Sequence, residues 1–289
     1  MKQLNLFFEL TRLKRPIGYM LLFWPCAWGL TIAYDFNQNL KNYFFYLVLF
    51  FLGSVLMRSA GCIINDIADK DFDKNVSRTK DRPIASEKVS VKVGFMYSAV
   101  LCGLAFLVLI NFNMFTIILA LGSMPLAFTY PLMKRFTYWP QLFLGITFNY
   151  GLVLGWTSIY GEVNLIPIIF YIGAIFWTLS YDTIYGFQDI KDDEIIGLKS
   201  TSIKFKNNPM IFLFISYSIF FISLIYIGLS MNLNYFYFIF LTFIFYHLFF
   251  LQLKKLNTLD SINCLKIFKS NNFLGLLIFA NLIIGKFSL

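Results

Sequence analysis

Two segments hold most of the acid in this chain. They read Asn65-Asp66-Ile67-Ala68-Asp69-Lys70-Asp71-Phe72-Asp73 and Asp182-Thr183-Ile184-Tyr185-Gly186-Phe187-Gln188-Asp189-Ile190-Lys191-Asp192-Asp193. Of the 15 Asp and Glu residues, only Glu9, Asp35, Glu162 and Asp260 lie outside windows 66–87 and 182–194. Like charges this close repel, so the clustering needs a cause. If each segment continues a helix at about 100° per residue, Asn65, Asp69 and Asp73 fall within about 80° of one another. Asp182, Asp189 and Asp193 fall within about 40°. Unpaired, such stripes destabilise a helix. A divalent cation reverses the effect, and Mg²⁺ favours a few carboxylates completed by water and phosphate oxygens.

Cations accompany the acids: Arg15, Arg58, Lys70, Arg78, Arg82, Lys134, Arg135 and Lys199. Acids that hold metal, beside bases that hold anions, suit a diphosphate ester. The bland alternative, solvated loop charge, does not explain two helical stripes. A calcium loop starting at Asp69 fails because its sixth position is Lys74 and its twelfth Lys80, where Gly and Glu are required. Most of the bases are ordinary charge flanking a membrane. Arg58 is different: it lies about two turns inside an apolar span, where Arg costs at least ~2.5 kcal/mol, so it requires an acid or a ligand.

The elements that position these residues are membrane helices. The chain is 58% hydrophobic and 13% charged, against about 25% charged for soluble domains, so the lipid bilayer is its solvent. Apolar stretches predict an all-α bundle of nine transmembrane helices, forming a single domain over 1–289. The spans are placed at 16–34, 43–65, 91–110, 113–132, 139–160, 163–186, 209–230, 233–253 and 271–286. Nearly all Lys and Arg fall in the N-terminal segment and the even-numbered loops, with Lys41 and Lys286 on the other side. The positive-inside rule then puts the N-terminus and both acid-rich loops in the cytoplasm. The net charge of +9 is explained the same way, with no nucleic-acid motif to suggest another partner. Cys26, Cys62, Cys102 and Cys264 form no CxxC pair and predict neither zinc nor disulfides. His247, the only histidine, lies away from both motifs and reads as structural. A faint echo between Asn65–Asp69 and Gln188–Asp192 hints at two related halves around one site.

At these residues the sequence resembles the UbiA superfamily of intramembrane prenyltransferases. Its first motif is matched by Asn65-Asp66-x-x-Asp69-x-x-x-Asp73 with Arg78-Thr79 and Arg82-Pro83, and its second by Asp182-x-x-Tyr185, Gln188-Asp189-x-x-Asp192-Asp193 and Gly197-x-Lys199-Ser200-Thr201. Tyr130-Pro131-x-x-Lys134-Arg135 matches a third element. Arg15-Pro16-Ile17-Gly18, Trp24-Pro25, Trp28 and Met57–Cys62 resemble the bacterial 4-hydroxybenzoate polyprenyltransferase branch. One departure is Glu87, where the family usually has Gly.

The resemblance implies transfer of a polyprenyl group from polyprenyl diphosphate to C3 of 4-hydroxybenzoate, in ubiquinone synthesis at a bacterial inner membrane. It implies that Asn65, Asp66, Asp69 and Asp73 hold one Mg²⁺, and Asp189 and Asp193 a second, with Asp182 or Asp192 in support. Arg58, Lys134 and Arg135 become contacts for diphosphate or carboxylate. Arg15, Tyr185 and Lys199 join the substrate-binding set, and Tyr130 shields an allyl cation. Homogentisate and 1,4-dihydroxy-2-naphthoate remain open as acceptors. A transporter is the rival class, but its acids would be spread through the membrane, whereas these gather at one face.

Overall fold

The computed structural model describes residues 2–74 and 79–287; Arg78 lies outside the described residues. Among the described residues every element is helical. Helix α1 (Lys2–Thr11) precedes α2 (Ile17–Ala33), α3 (Leu40–Ala68) and the single turn α4 (Lys70–Asp73). Next come α5 (Val91–Leu109), α6 (Met114–Thr129), a 3₁₀ turn at Tyr130–Leu132, and α7 (Met133–Phe136). The second half holds α8 (Pro140–Tyr160), α9 (Leu165–Gly186), α10 (Ile190–Ile195), α11 (Thr201–Lys204), α12 (Pro209–Ser230), α13 (Tyr235–Phe245) and α14 (Ser261–Lys286).

Eight helical stretches among the described residues are long and apolar enough to cross a bilayer. The expected ninth, α2, has 17 residues and reaches about 25 Å, the lower end of the spanning range. The last span starts earlier than its hydropathy suggests. α14 begins at Ser261, with the Asp260 side chain accepting from the Ile262 and Asn263 backbone N–H groups. Its first turns carry Asn263, Lys266 and Lys269. They are helical because of the cap, so an apolar window finds only the later part.

Small residues set the closest crossing. A Cβ on Gly29 of α2 would collide with the Leu152 carbonyl of α8, and one on Gly155 of α8 would collide with the Cys26 carbonyl of α2. Without a hydrophobic drive between helices in lipid, this close approach supplies the van der Waals contact that holds them. Around α2 the core is aromatic: Trp28 stacks on Phe170 at 5.6 Å and sits 5.0 Å from Trp177. Trp28 Nε1 donates to the Gly275 carbonyl and Trp177 Nε1 to Asn271 Oδ1, so the polar edges are satisfied.

Two residues outside the motifs find structural roles. Lys286 donates to the carbonyls of Thr31, Ile32 and Tyr34, capping the negative end of α2. His247 lies where α13 widens into a π-helical stretch, Tyr246–Leu253. Its Nδ1 is 3.1 Å from Gln252 Nε2, and Gln252 also meets Tyr217 and Asn271. This buried network joins α12, the π stretch and α14, as the structural reading of His247 expects.

Candidate active site

The first acid segment does not continue as one straight helix. α3 stops at Ala68, and Asp69 adopts φ −96°, ψ 5° before α4. Helical bonding nevertheless crosses the break, from Asp69 N to Asn65 O at 2.9 Å and from Asp73 N to Asp69 O at 2.8 Å. Asp66, Asp69 and Asp73 are consequently brought together and buried, while Asn65 is half-buried. α9 likewise ends at Gly186, and tight turns lead to Asp189 and α10. Asp182, Tyr185, Asp189, Asp192 and Asp193 are all half-buried, so the second motif is a bent ridge in place of the expected straight stripe.

The buried acids of the first motif are paired with cations. Arg12 Nη2 lies 2.5 Å from Asp66 Oδ1. Arg82 Nη1 bridges Asp66 at 3.1 Å and Asp73 at 2.7 Å. Lys134 Nζ reaches Asp69 Oδ2 at 2.6 Å, and Arg135 donates to the Ala68 carbonyl at 2.6 Å while stacking over Phe72. Burying a carboxylate requires such partners.

The two motifs meet through the segment between α6 and α8. Lys134 bonds Asp69 by its side chain, and its carbonyl accepts from Lys199 N at 2.8 Å. Both acid-rich loops therefore lie on one face, as the charge pattern predicts. The second loop is fastened behind the site. Gly197 turns the chain at φ 73°, which favours glycine. Thr201 and Thr183 share a hydrogen bond of 2.6 Å, and Gln141 Oε1 accepts from Thr201 N. The Lys199 ammonium points to the Phe136 carbonyl and the Tyr138 ring, away from the acids it was expected to accompany.

Arg58 faces inward. Its guanidinium sits 5.4 Å over the Phe148 ring, its Nε is buried without a hydrogen-bond partner, and Tyr130 and Asp182 lie within electrostatic reach. Tyr130 meets Phe148 edge-on at 6.5 Å.

Arg12 was not among the expected site residues; Arg15 was, and it is exposed. Arg12 ends α1 in a left-handed conformation at φ 54°, uncommon for a residue with a side chain. That backbone turn, invisible in the sequence, brings its guanidinium to Asp66. Burial opposes its charge, but Cys62, Asp66, Tyr185 and Tyr130 around it together raise its pKa above the ordinary arginine value.

The donor set also fits a hard cation. Its side-chain donors are oxygens, and Asp69 Oδ1 is buried without a hydrogen-bond partner, leaving an acceptor for metal. As the side chains stand, no three acids among the described residues converge into a ready ligand set, because Lys and Arg occupy the space between them.

Residues 22–277 match the UbiA prenyltransferase family. The chain belongs to this family. Two relatives of this UbiA-family chain are named "4-hydroxybenzoate polyprenyltransferase, mitochondrial". That of Drosophila pseudoobscura pseudoobscura is 39% identical over 280 residues, covering 96% of this chain and 69% of the relative. That of Homo sapiens is 39% identical over 286 residues, covering 98% and 76%. The apo structure of a UbiA homolog from Aeropyrum pernix K1 is similar in fold, with a TM-score of 0.73 at 22% identity over 93% of this chain and 97% of that one. A UbiA homolog from Archaeoglobus fulgidus bound to DMAPP and Mg²⁺ has a TM-score of 0.67 at 19% identity, covering 96% and 98%. These relatives overturn the expectation of a bacterial inner membrane, since both are named as mitochondrial. Charge asymmetry bears on how a chain is oriented and carries no information on which membrane receives it.

Proposed function

We propose that this multi-pass membrane transferase moves a polyprenyl group from polyprenyl diphosphate to C3 of 4-hydroxybenzoate, releasing diphosphate, in ubiquinone synthesis. The membrane in this reading is mitochondrial, as in the named relatives. The observation that carries the proposal is the meeting of both acid motifs beside Lys134, with Arg58 facing inward behind them.

In this reading Asn65, Asp66, Asp69 and Asp73 would hold one Mg²⁺, and Asp189 and Asp193 a second, supported by Asp182 or Asp192. The metal, when bound, neutralises the diphosphate as a leaving group. Lys134, Arg82 and Arg12 would exchange carboxylate partners, and Arg135 its Ala68 carbonyl, for phosphate oxygens, adding electrostatic stabilisation where charge develops. Arg58, held by Phe148, orients the aromatic carboxylate or the diphosphate. Tyr130 offers its ring to the allyl cation. The C1–O bond of the donor breaks with its electron pair going to the diphosphate, a bond forms from C1 to ring carbon C3, and the C3 proton passes to the departing diphosphate or to water.

The test is acceptor competition. Purified protein in lipid with Mg²⁺ and one polyprenyl diphosphate receives equal 4-hydroxybenzoate, homogentisate and 1,4-dihydroxy-2-naphthoate. Prenylated 4-hydroxybenzoate should dominate. Dominance of either rival rejects the acceptor, and no prenylation of any would reject the reaction.

A further inference from the structure

A cavity of about 220 Å³ runs behind Arg58 between α2, α3, α5, α6 and α8. Arg58 and Tyr130 stand near one end, and Phe50 and Phe112, 4.7 Å apart, near the other. Phe106 of α5 and Leu121 of α6 line it and are both exposed. The cavity therefore opens towards lipid between α5 and α6.

Two glycines of α3, Gly53 and Gly61, line this cavity, and a Cβ built on either would meet nothing within 4 Å. They contrast with Gly29, Gly145, Gly151 and Gly155, whose missing side chains are required by touching neighbours. Neither Gly53 nor Gly61 has a positive φ. Each weakens a helix relative to Ala without easing a crossing or a turn. What both leave is a smooth wall along the cavity, beside an Arg58 Nε that lacks a partner.

Position along α3 separates their roles. At 1.5 Å per residue, Gly61 lies about 8 Å and Gly53 about 20 Å along the axis from Asp66. An extended chain advances about 1.2 Å per bond, so the geranyl chain covers only about 8 Å beyond its diphosphate. It ends before Gly53, whereas a chain of eight or more isoprenes passes it.

We propose that Gly53 is a specificity-determining residue for long prenyl donors, keeping open the wall along which the distal tail runs to the α5–α6 opening. This rests on the prenyl-transfer reading above. The test compares wild type with Gly53→Ala and Gly53→Leu in lipid nanodiscs, using 4-hydroxybenzoate, Mg²⁺ and either geranyl or solanesyl diphosphate. Gly53→Leu should lose at least about tenfold in kcat/KM for the solanesyl donor, the scale on which one obstructed apolar contact discriminates, while its geranyl rate is retained. Gly53→Ala should fall between. Retained geranyl turnover also shows that the variant is folded. Gly103→Leu, on an exposed face of α5 with equally open space, should match wild type with both donors. Equal loss with both donors, or no loss with solanesyl diphosphate, overturns the role of Gly53. If wild type prefers another acceptor, that acceptor replaces 4-hydroxybenzoate and the donor comparison still decides.

Discussion

Lys134 and Asp69, 65 residues apart in the chain, are joined by a 2.6 Å contact between Nζ and Oδ2. This bond ties the first acid motif to the segment that also receives the second loop. Lys134→Met should leave Asp69 buried without its main partner, a loss of about 1–3 kcal/mol. It should also reduce turnover more than Lys134→Arg does. Thermal melts and kcat/KM in lipid check both, and a variant unchanged in both would remove the link.

Metal dependence follows from the oxygen donor set. Chelation should abolish turnover, and added Mg²⁺ should restore it. Asp69→Ala and Asp189→Ala should be inactive while remaining helical and membrane-inserted by circular dichroism and size exclusion in detergent. Full activity after exhaustive chelation would contradict the assignment.

Gly18 controls the position of Arg58. A Cβ on Gly18 would lie 2.8 Å from Arg58 Nε. Because the obstructed group is a flexible side chain, Gly18→Ala should displace the guanidinium with little effect on folding. Turnover should fall while the melting temperature holds. Arg58→Leu should lose on the order of a hundredfold in kcat, and Arg58→Lys should also fall, because ammonium lacks the planar fork. An active Arg58→Leu would make Arg58 structural.

Glu87 occupies a position whose backbone favours glycine. Its φ is 61°, which explains why the family usually has Gly there. The side chain compensates by pairing with Lys74 at 3.0 Å and Lys70 at 3.3 Å, beside the acids of α4. Hydrogen bonds from Lys74 and then Lys70 lower its pKa. A carboxyl with a lowered folded pKa contributes stability above its ordinary value and loses it as pH falls through the folded value. Glu87→Gly should therefore gain relative to wild type in acid and in high salt, where the pairs are protonated or screened. Melts across pH and salt check this; a constant difference between the two proteins would exclude the pairs as the cause.

Several features were readable from residue types alone. Asp69 and Asp73 place like charges at helix spacing, which costs stability unless a cation joins them, so their need for partners was legible, and Lys134 and Arg82 supply them. Arg58 is legible for the same reason, as a charge inside an apolar run. Where α14 begins was not, since Asp260 sets it by capping polar turns that hydropathy ignores.

The sequence by itself determined the solvent, the helical class and the gathering of both acid-rich loops at one face of the bundle. These follow from local quantities: apolar length, period and charge count. Only tertiary structure decided which cation meets which acid. Arg12 reaches Asp66 through a left-handed turn, Arg82 bridges Asp66 and Asp73, and Lys199 turns to Phe136. It also separated the glycines packed against a neighbouring helix from those that line open space. The reason is physical: composition fixes how much charge and apolar surface must be placed, but pairing depends on where distant backbones cross, which single-residue preferences do not encode.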